Sequence, residues 1–437
     1  MKYYIETFGC QMNVYDSGKL EETLRENEFS EASIPAEADL IVVNTCSVRR
    51  HAEDRAFARI GELCLVRKTG AVLAVCGCMA QRLGSDILKK RGVDIVIGPD
   101  AYPVLLAAFE KARESGAKAL DTTRNPEFRF GSSGKHVAGN LRAFVSIMKG
   151  CSNGCSFCIV PAVRGPAVSR PCQEVEEEVM AVARAGARDI TLIGQNVNAY
   201  RSDGVSFAEL LGSIAEAAGE VRIRFTTSHP RDMNDCVIKT MSGHGNICEH
   251  LHLPLQSGSD RVLERMRRGY TADQYRGIVG AVRESVPGIS ITTDIMVGFP
   301  GETAEDFEAT CRLVEEIEFD SAFMFKFSPR PGTEAASMDD DVPQSEKERR
   351  LSRLAGIEHN ASSAKSARLV GKTLEVLIES QKTKNGEKVL LGKTRCNRTV
   401  HLKGPAECIG ETVNVTIESS KGISLKGSSL QSQSGRR

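Results

Sequence analysis

The stretch "KGCSNGCSFCIVPAVRG", residues 149–165, decides how the rest of the chain is read. It places Cys151, Cys155 and Cys158 in a C-x3-C-x2-C spacing directly after an apolar run that predicts a strand, Phe144–Met148. A structural zinc site needs four ligands and usually brings them as two pairs. One triplet with no second cluster nearby suits a [4Fe–4S] cube that keeps one iron open for a small ligand. Soft thiolates select iron–sulfur over hard cations. Gly150 and Gly154 are expected to let the backbone wrap closely around a bulky group.

Outward from this loop, the pattern is strand and helix in alternation. Downstream, apolar strands are expected at Ile190–Ile193, Ile223–Phe225, Leu251–Leu253, Ile289–Asp294 and Ser321–Phe325. With Phe144–Met148 they make six βα units, a partial barrel whose working residues sit at the carboxyl ends of its strands. Ser345 and Glu348 suggest a capping box at the start of a long polar helix that runs to about Leu369. Upstream, strands are expected at Lys2–Thr7, Leu40–Asn44, Ala71–Val75 and Asp94–Ile97. Helices are expected at Ser17–Asn27, Ala52–Val66, Leu83–Lys90 and Pro103–Arg113. That order implies a doubly wound parallel sheet. The segment after the long polar helix changes character: "LEVLIES", "VLLGKT", "TVHLKG" and "TVNVTIES" alternate like a small antiparallel β-barrel. The fold class expected is therefore α/β with three domains, residues 1–116, a core 137–369 and a barrel 370–433, together with a linker 117–136 and a tail 434–437.

Composition excludes several classes of function. A formal net charge of zero gives no global field toward nucleic acid or membrane. From Gly371 onward, however, basic residues outnumber acidic ones, a local hint of an RNA contact. No apolar run approaches the ~20 residues of a membrane span. "MKYYIETFGC" has no signal-peptide core, so a reducing cytoplasm is expected for the 14 cysteines. The two "GKT" triplets, at Gly371 and Gly392, lack the upstream glycine of a phosphate loop.

Three further cysteines share a topological position. Cys10, Cys46 and Cys78 each follow a strand of the first sheet, and strand ends of a parallel sheet share one ligand-binding edge. In "CGC" the expectation places Cys76 inside the strand and leaves Cys78 at its end. Polar or exposed positions also follow the core strands: Gln195 and Asn196, Ser228 and His229, Gln256, and Gly298 with Phe299. Cys64, Cys172, Cys236, Cys248, Cys311, Cys396 and Cys408 show no ligand spacing.

The cysteine loop resembles the signature of the radical S-adenosylmethionine superfamily. "FGCQMNVYDS", "NTCSVR" and "CGCMAQR" are similar to the three cysteine motifs of its methylthiotransferase family. "RGPAVSRP", "GQNVNAY", "RFTTSHP", "HLPLQSGSD" and "VGFPGE" continue the match, and "GKTRCNRTV" resembles its TRAM domain. The resemblance implies two [4Fe–4S] clusters, one on Cys151, Cys155 and Cys158, the other on Cys10, Cys46 and Cys78. It implies S-adenosylmethionine as cofactor, with Gln195, Asn196, Ser228, Gln256, Gly298 and Phe299 as its contacts. The implied reaction is methylthiolation of C2 of N6-isopentenyladenosine at position 37 of tRNA. Implied partners are the tRNA anticodon loop, a reductant such as flavodoxin or ferredoxin, and an iron–sulfur carrier protein, with no membrane. The C2–H bond is not acidic, so a side-chain base cannot remove it and radical chemistry is required. Sister readings are a threonylcarbamoyladenosine substrate, whose charge Arg164 or Arg170 could meet, or a ribosomal-protein aspartate. A structural iron–sulfur RNA-binding protein is the reading of another class. One departure stands out: Ala167 occupies a place where the family usually has an acidic residue.

Overall fold

In the computed structural model, the described residues are 1–47, 50–131, 134–137, 139–384 and 386–429. Val48 and Arg49 of the second cysteine motif, part of the expected linker, and the expected tail lie outside them.

The first unit is a six-stranded, wholly parallel sheet. Its strands are β1 (Lys2–Thr7), β2 (Ser30–Glu31), β3 (Leu40–Thr45), β4 (Val72–Gly77), β5 (Ile95–Ile97) and β6 (Ala119–Asp121), in the spatial order β2-β1-β3-β4-β5-β6. β3 and β4 are buried at every position, as near-continuous apolar strands between two helical layers must be. The order reverses between β1 and β3, so the strand ends at Phe8 and Cys46 flank the crevice where such sheets bind ligands. The sheet extends past residue 116. β6 is a three-residue edge strand that leaves Leu120 exposed, too short to show a period, and it was expected as linker. Two helices also begin earlier than their apolar pattern suggests. Gln11–Glu26 starts directly after Cys10, because Asn13, Asp16 and Ser17 are buried polar groups rather than a solvent face. Cys78–Leu88 starts at Cys78 itself, burying Cys78, Met79 and Ala80 in its first turn.

The core holds six parallel strands in two three-stranded sheets. One is β7 (Arg142–Ser146), β8 (Asp189–Ile193) and β9 (Arg222–Phe225); the other is β10 (His250–His252), β11 (Ser290–Val297) and β12 (Ser321–Lys326). A parallel bridge between Ile223 and Ile247 joins them into one open half-barrel. The long helix Gln344–Ala367 crosses over β12. It carries no capping box: Pro343 precedes it, and Glu348 accepts from Lys326 and Gln344 instead. No helix among the described residues is long and apolar enough to cross a membrane.

The last unit is a closed barrel of β13 (Thr373–Lys384), β14 (Glu387–Thr394), β15 (Thr399–Leu402), β16 (Thr412–Lys421) and β17 (Ser424–Ser429). It is antiparallel except where β15 pairs parallel with β17. This barrel closes the amino-terminal end of the core. In "RIRF" of β9, Ile223 and Phe225 pack in the apolar core, and the alternate residues are Arg222 and Arg224. Arg224 is ion-paired with Asp189 at 2.8 Å and donates to the carbonyls of Thr394 and Arg395. Arg222 reaches Glu375 at 2.7 Å, Arg395 reaches Glu249 at 2.7 Å, and Arg398 reaches Asp320 at 2.5 Å.

The buried Arg398–Asp320 pair, and the buried Arg224 guanidinium that joins Asp189 to the barrel carbonyls, make the small barrel part of the core's stability. Arg224→Met strands Asp189, which is 1 % exposed, and is expected to cost about 3–5 kcal/mol. Removing 371–437 should lower the thermal midpoint of the remaining chain by more than that single change. Scanning calorimetry with limited proteolysis reads both. A truncated chain with an unchanged midpoint would show that the pairs contribute nothing.

Candidate active site

The cysteine loop is held from three sides. Gly150 has φ +73°, and a Cβ there would sit 1.9 Å from the Pro166 carbonyl oxygen, so only glycine fits. Gly154 has no such constraint, contrary to the expectation from sequence: nothing lies within 4 Å of its would-be Cβ. The Ser156 hydroxyl donates to the Arg265 carbonyl at 2.8 Å, and the Ser156 carbonyl accepts from Ala335 N–H at 2.7 Å. Phe157 meets Phe299 edge-on, and Phe299 meets Phe327. Phe299 is fully buried in that aromatic cluster, so it buttresses the loop and cannot touch a cofactor. Gly298 is likewise covered: its N–H donates to Glu302 at 2.6 Å and Lys347 packs over its Cα. In this structure both positions serve as scaffold beneath the cysteine loop.

Burial pushes the Cys158 thiol up to about 12 and raises Cys151 as well. Without a metal these thiols are therefore neutral, and loading one must release protons. Cys155 accepts from the Arg268 guanidinium at 3.3 Å. Among the described residues no three His, Cys, Asp or Glu side chains converge on a single ion, and all 14 cysteines are free.

Cys10, Cys46 and Cys78 come together at one sheet edge. A Cβ on Gly9, which has φ +118°, would lie 2.3 Å from the Cys46 Cβ. A hydrogen bond with Cys46, aided by the Arg164 charge, draws the Cys10 thiol down to about 6. Burial raises Cys78. Cys76 lies wholly buried in β4, within the apolar core, as expected of it.

The two triplets are physically joined. Arg164, six residues after Cys158 in the chain, donates to Cys78 Sγ at 3.2 Å, Asn13 at 2.9 Å and Asp16 at 2.7 Å. Ile159 and Val163 pack on Cys78. Nearby, Arg170 donates to Glu178 and to the Ser146 carbonyl, while Lys19 of the first unit pairs with the same Glu178 at 2.9 Å.

Three of the expected cofactor contacts carry buried polar atoms with no partner in the protein: Gln195 Oε1, Asn196 Oδ1 and Ser228 Oγ. Such groups are costly unless a ligand or water satisfies them. Gln256 and Thr227 both hold positive φ, +67° and +68°, at strand ends beside them. His229 caps the turn Pro230–Asp232, its Nδ1 accepting from Arg231 N–H, so its Nε2 carries the proton. Burial, then the charges of Arg268 and Arg231, holds its pKa down to about 2.

A cavity of about 890 Å³ opens between the three units. Cys10 and Cys46 line it from one side, Thr226 and Thr227 from the core, and Asn397 and Ile423 from the small barrel. His252, held by Thr292 at 3.0 Å and near Asp294 at 3.4 Å, stands against Phe323. Sequence reasoning missed His252, Asp294, Phe323 and Arg268. Asp294 and Phe323 lie mid-strand and Arg268 in a turn, outside any recognisable spacing; His252 ends β10 and opens the motif "HLPLQSGSD", in which only Gln256 was singled out.

The fold and the cysteine loop define a radical S-adenosylmethionine enzyme, and the radical SAM superfamily model matches residues 145–314. Residues 2–98 match an uncharacterised protein family, UPF0004, and residues 367–430 match the TRAM domain. The tRNA-2-methylthio-N(6)-dimethylallyladenosine synthase of Porphyromonas gingivalis is 41 % identical over 98 % of this chain and 94 % of its own. That of Methylococcus capsulatus is 43 % identical over 98 % and 95 %. The chain belongs to this methylthiotransferase family. Among solved structures, the radical S-adenosylmethionine methyltransferase TsrM of Kitasatospora setae shares the fold, with TM-score 0.57, 14 % identity and 77 % of each chain covered.

The His229 environment predicts a pH dependence. Its folded pKa, about 2, lies below the ordinary 6.5, so the unfolded chain binds a proton that the folded chain refuses. Stability is therefore unaffected above about pH 6.5 and falls below it, by about 1.4 kcal/mol per pH unit for this one group. Urea unfolding of cluster-free protein between pH 5 and 8 should show that slope reduced by one proton in His229→Asn. Parallel curves for the two proteins would refute the assignment.

Proposed function

We propose that the protein adds a methylthio group to C2 of N6-isopentenyladenosine at position 37 of tRNA. The observation that carries this reading is the single cavity shared by the three units, lined by two of the first-domain cysteines and bounded by the half-barrel of the radical domain. Cys151, Cys155 and Cys158 would hold one [4Fe–4S] cluster, with S-adenosylmethionine on its open iron. Cys10, Cys46 and Cys78 would hold the other. When bound, these groups supply a carbon radical able to take hydrogen from an unacidic C–H bond, and a site for the sulfur to be transferred.

The chain's own residues account for the rest. Gln195, Asn196 and Ser228 offer unpartnered polar atoms to the cofactor. Gln256, at a strand end, is buried with φ +67°. Asn196 is oriented by Asp232, which accepts from its Nδ2 at 2.7 Å. Val14, Phe323 and Ile423, one from each unit, are about half exposed yet all face the cavity. Together they offer an apolar tail a place to be buried. Five such carbons are worth ~3 kcal/mol after discounting, roughly a hundredfold in affinity.

The two arginines that could have met a charged threonylcarbamoyl group are buried and already bound, Arg164 to Asp16 and Arg170 to Glu178. Of the cavity's own cations Arg398 is paired with Asp320, Lys393 donates to the Asn397 carbonyl, and Arg55 lies over Phe8. The target adenosine would have to be splayed out of its stack to enter, and the TRAM unit beside the cavity would hold the tRNA backbone. We place the protein in the cytoplasm, with a flavodoxin or ferredoxin as reductant and an iron–sulfur carrier that loads the clusters.

Two experiments test this. Changing Cys151, Cys155 or Cys158 to Ala should abolish 5′-deoxyadenosine release, whereas changing Cys10, Cys46 or Cys78 should spare it and stop methylthio product. Product over several turnovers from the Cys10, Cys46 or Cys78 variants would overturn the assignment. Phe323→Ala should cut the preference for isopentenylated over unmodified tRNA about tenfold, near 1.4 kcal/mol, read by nucleoside mass spectrometry in competition.

A further inference from the structure

Each cysteine triplet has one buried guanidinium on one sulfur, but the two guanidiniums differ in charge balance. Arg164 reaches Cys78 while its charge is held by the Asp16 carboxylate at 2.7 Å. Arg268 reaches Cys155 at 3.3 Å, and its other partners are neutral: the Pro254 carbonyl, the Tyr270 hydroxyl and the Tyr270 ring. Arg268 is 5 % exposed, and among the described residues the groups that act on its charge are Tyr270 and Cys155 rather than a carboxylate. A buried cation without a counter-ion is costly. The anion that would balance it is the thiolate-ligated cluster of Cys151, Cys155 and Cys158.

We propose that Arg268 is a positioning residue that makes the Cys151/Cys155/Cys158 cluster the easier of the two to reduce. The inference rests on the ligand assignment above. An N–H donor to a ligand sulfur and a nearby positive charge both stabilise the extra negative charge that reduction adds, and raise the potential. Arg268 supplies both. Arg164 supplies the hydrogen bond with a charge that Asp16 partly offsets. In the step concerned, a one-electron reductant of the flavodoxin or ferredoxin class loses one electron and the cluster gains it. No bond of the protein is made or broken. The electron is thereby directed to the cluster where S-adenosylmethionine binds rather than to the one that handles sulfur.

The test is anaerobic redox poising of the holoenzyme, with reduced clusters counted by electron paramagnetic resonance. Cys10→Ala and Cys151→Ala proteins assign each signal. In Arg268→Gln and Arg268→Met the reduced-to-oxidised ratio of the Cys151/Cys155/Cys158 cluster at a fixed poise should fall at least tenfold, 59 mV for a one-electron couple. Iron content should be unchanged, and the other cluster unaffected. Arg268→Lys should recover most of the ratio, and Arg164→Gln should move its own cluster less. An unshifted ratio in iron-replete Arg268→Gln overturns the proposal. So does an unshifted ratio with weakened S-adenosylmethionine binding, which would assign the guanidinium to the cofactor carboxylate. Failure of both neutral variants to load iron would make Arg268 a structural strut and overturn it as well. Persistence of the signal in Cys151→Ala would instead fail the ligand assignment, a separate result.

Discussion

The arrangement of the molecule depends on one buried ion pair, Arg164 with Asp16. The guanidinium belongs to the short helix that follows the cysteine loop, and the carboxylate to the first helix of the parallel sheet. Both are almost wholly removed from water. Separating them would leave each charge buried without its partner, at a cost of several kcal/mol. The sheet therefore cannot swing away from the half-barrel without a large loss. The Lys19–Glu178–Arg170 cluster repeats the constraint on the same helix. Two cysteine triplets separated by more than 70 residues are thus kept in one fixed relation, with Arg164 itself touching Cys78. A reaction that takes hydrogen from one position and delivers sulfur to the same position needs that fixed relation.

The opposite end of the core is governed by a second set of arginines. A half-barrel lined with apolar side chains throughout would fill its own lumen. Here Arg222 and Arg224 occupy the alternate positions of a strand whose other residues pack in the core. They are satisfied by Asp189, Glu375 and the backbone carbonyls of the small barrel. The polar floor leaves space above it, and the cavity between the three units occupies that space. The TRAM unit therefore has two tasks in this chain. It closes the floor through buried pairs, and it brings Asn397 and Ile423 to the cavity wall.

How much of this was legible in the sequence depended on the kind of signal. The strands buried on both faces, such as "LIVVNT" and "VLAVCG", announced themselves as apolar runs. Cys10, Cys46 and Cys78 were legible because each follows a strand and strand ends in parallel sheets converge, and Cys151, Cys155 and Cys158 because of their C-x3-C-x2-C spacing after one strand. The start of the helix Gln11–Glu26 was not, because a buried polar face has the same composition as a solvated one. The packing of Phe299 beneath the loop was not legible either, because a strand-end position does not tell which way a side chain turns. Arg268 carried no signal, since an arginine beside another arginine in "MRRGY" reads as ordinary surface charge. The cavity was invisible for a deeper reason. Its wall is assembled from three units, and no local pattern encodes how units face one another.

Ala167, the departure from the family's usual acidic residue, takes its meaning from the same geometry. Its side chain is exposed, and its N–H donates to the Ser152 hydroxyl at 3.1 Å. The two arginines of the motif find their carboxylates elsewhere, Arg164 on Asp16 and Arg170 on Glu178. The strand pairing of Val168–Ser169 with Met148–Lys149, which fixes the motif against the cysteine loop, uses backbone groups only. A carboxylate at position 167 would stand in water next to the loop and balance no buried charge. The motif therefore keeps its structural work in this chain because that work was never done by the missing side chain.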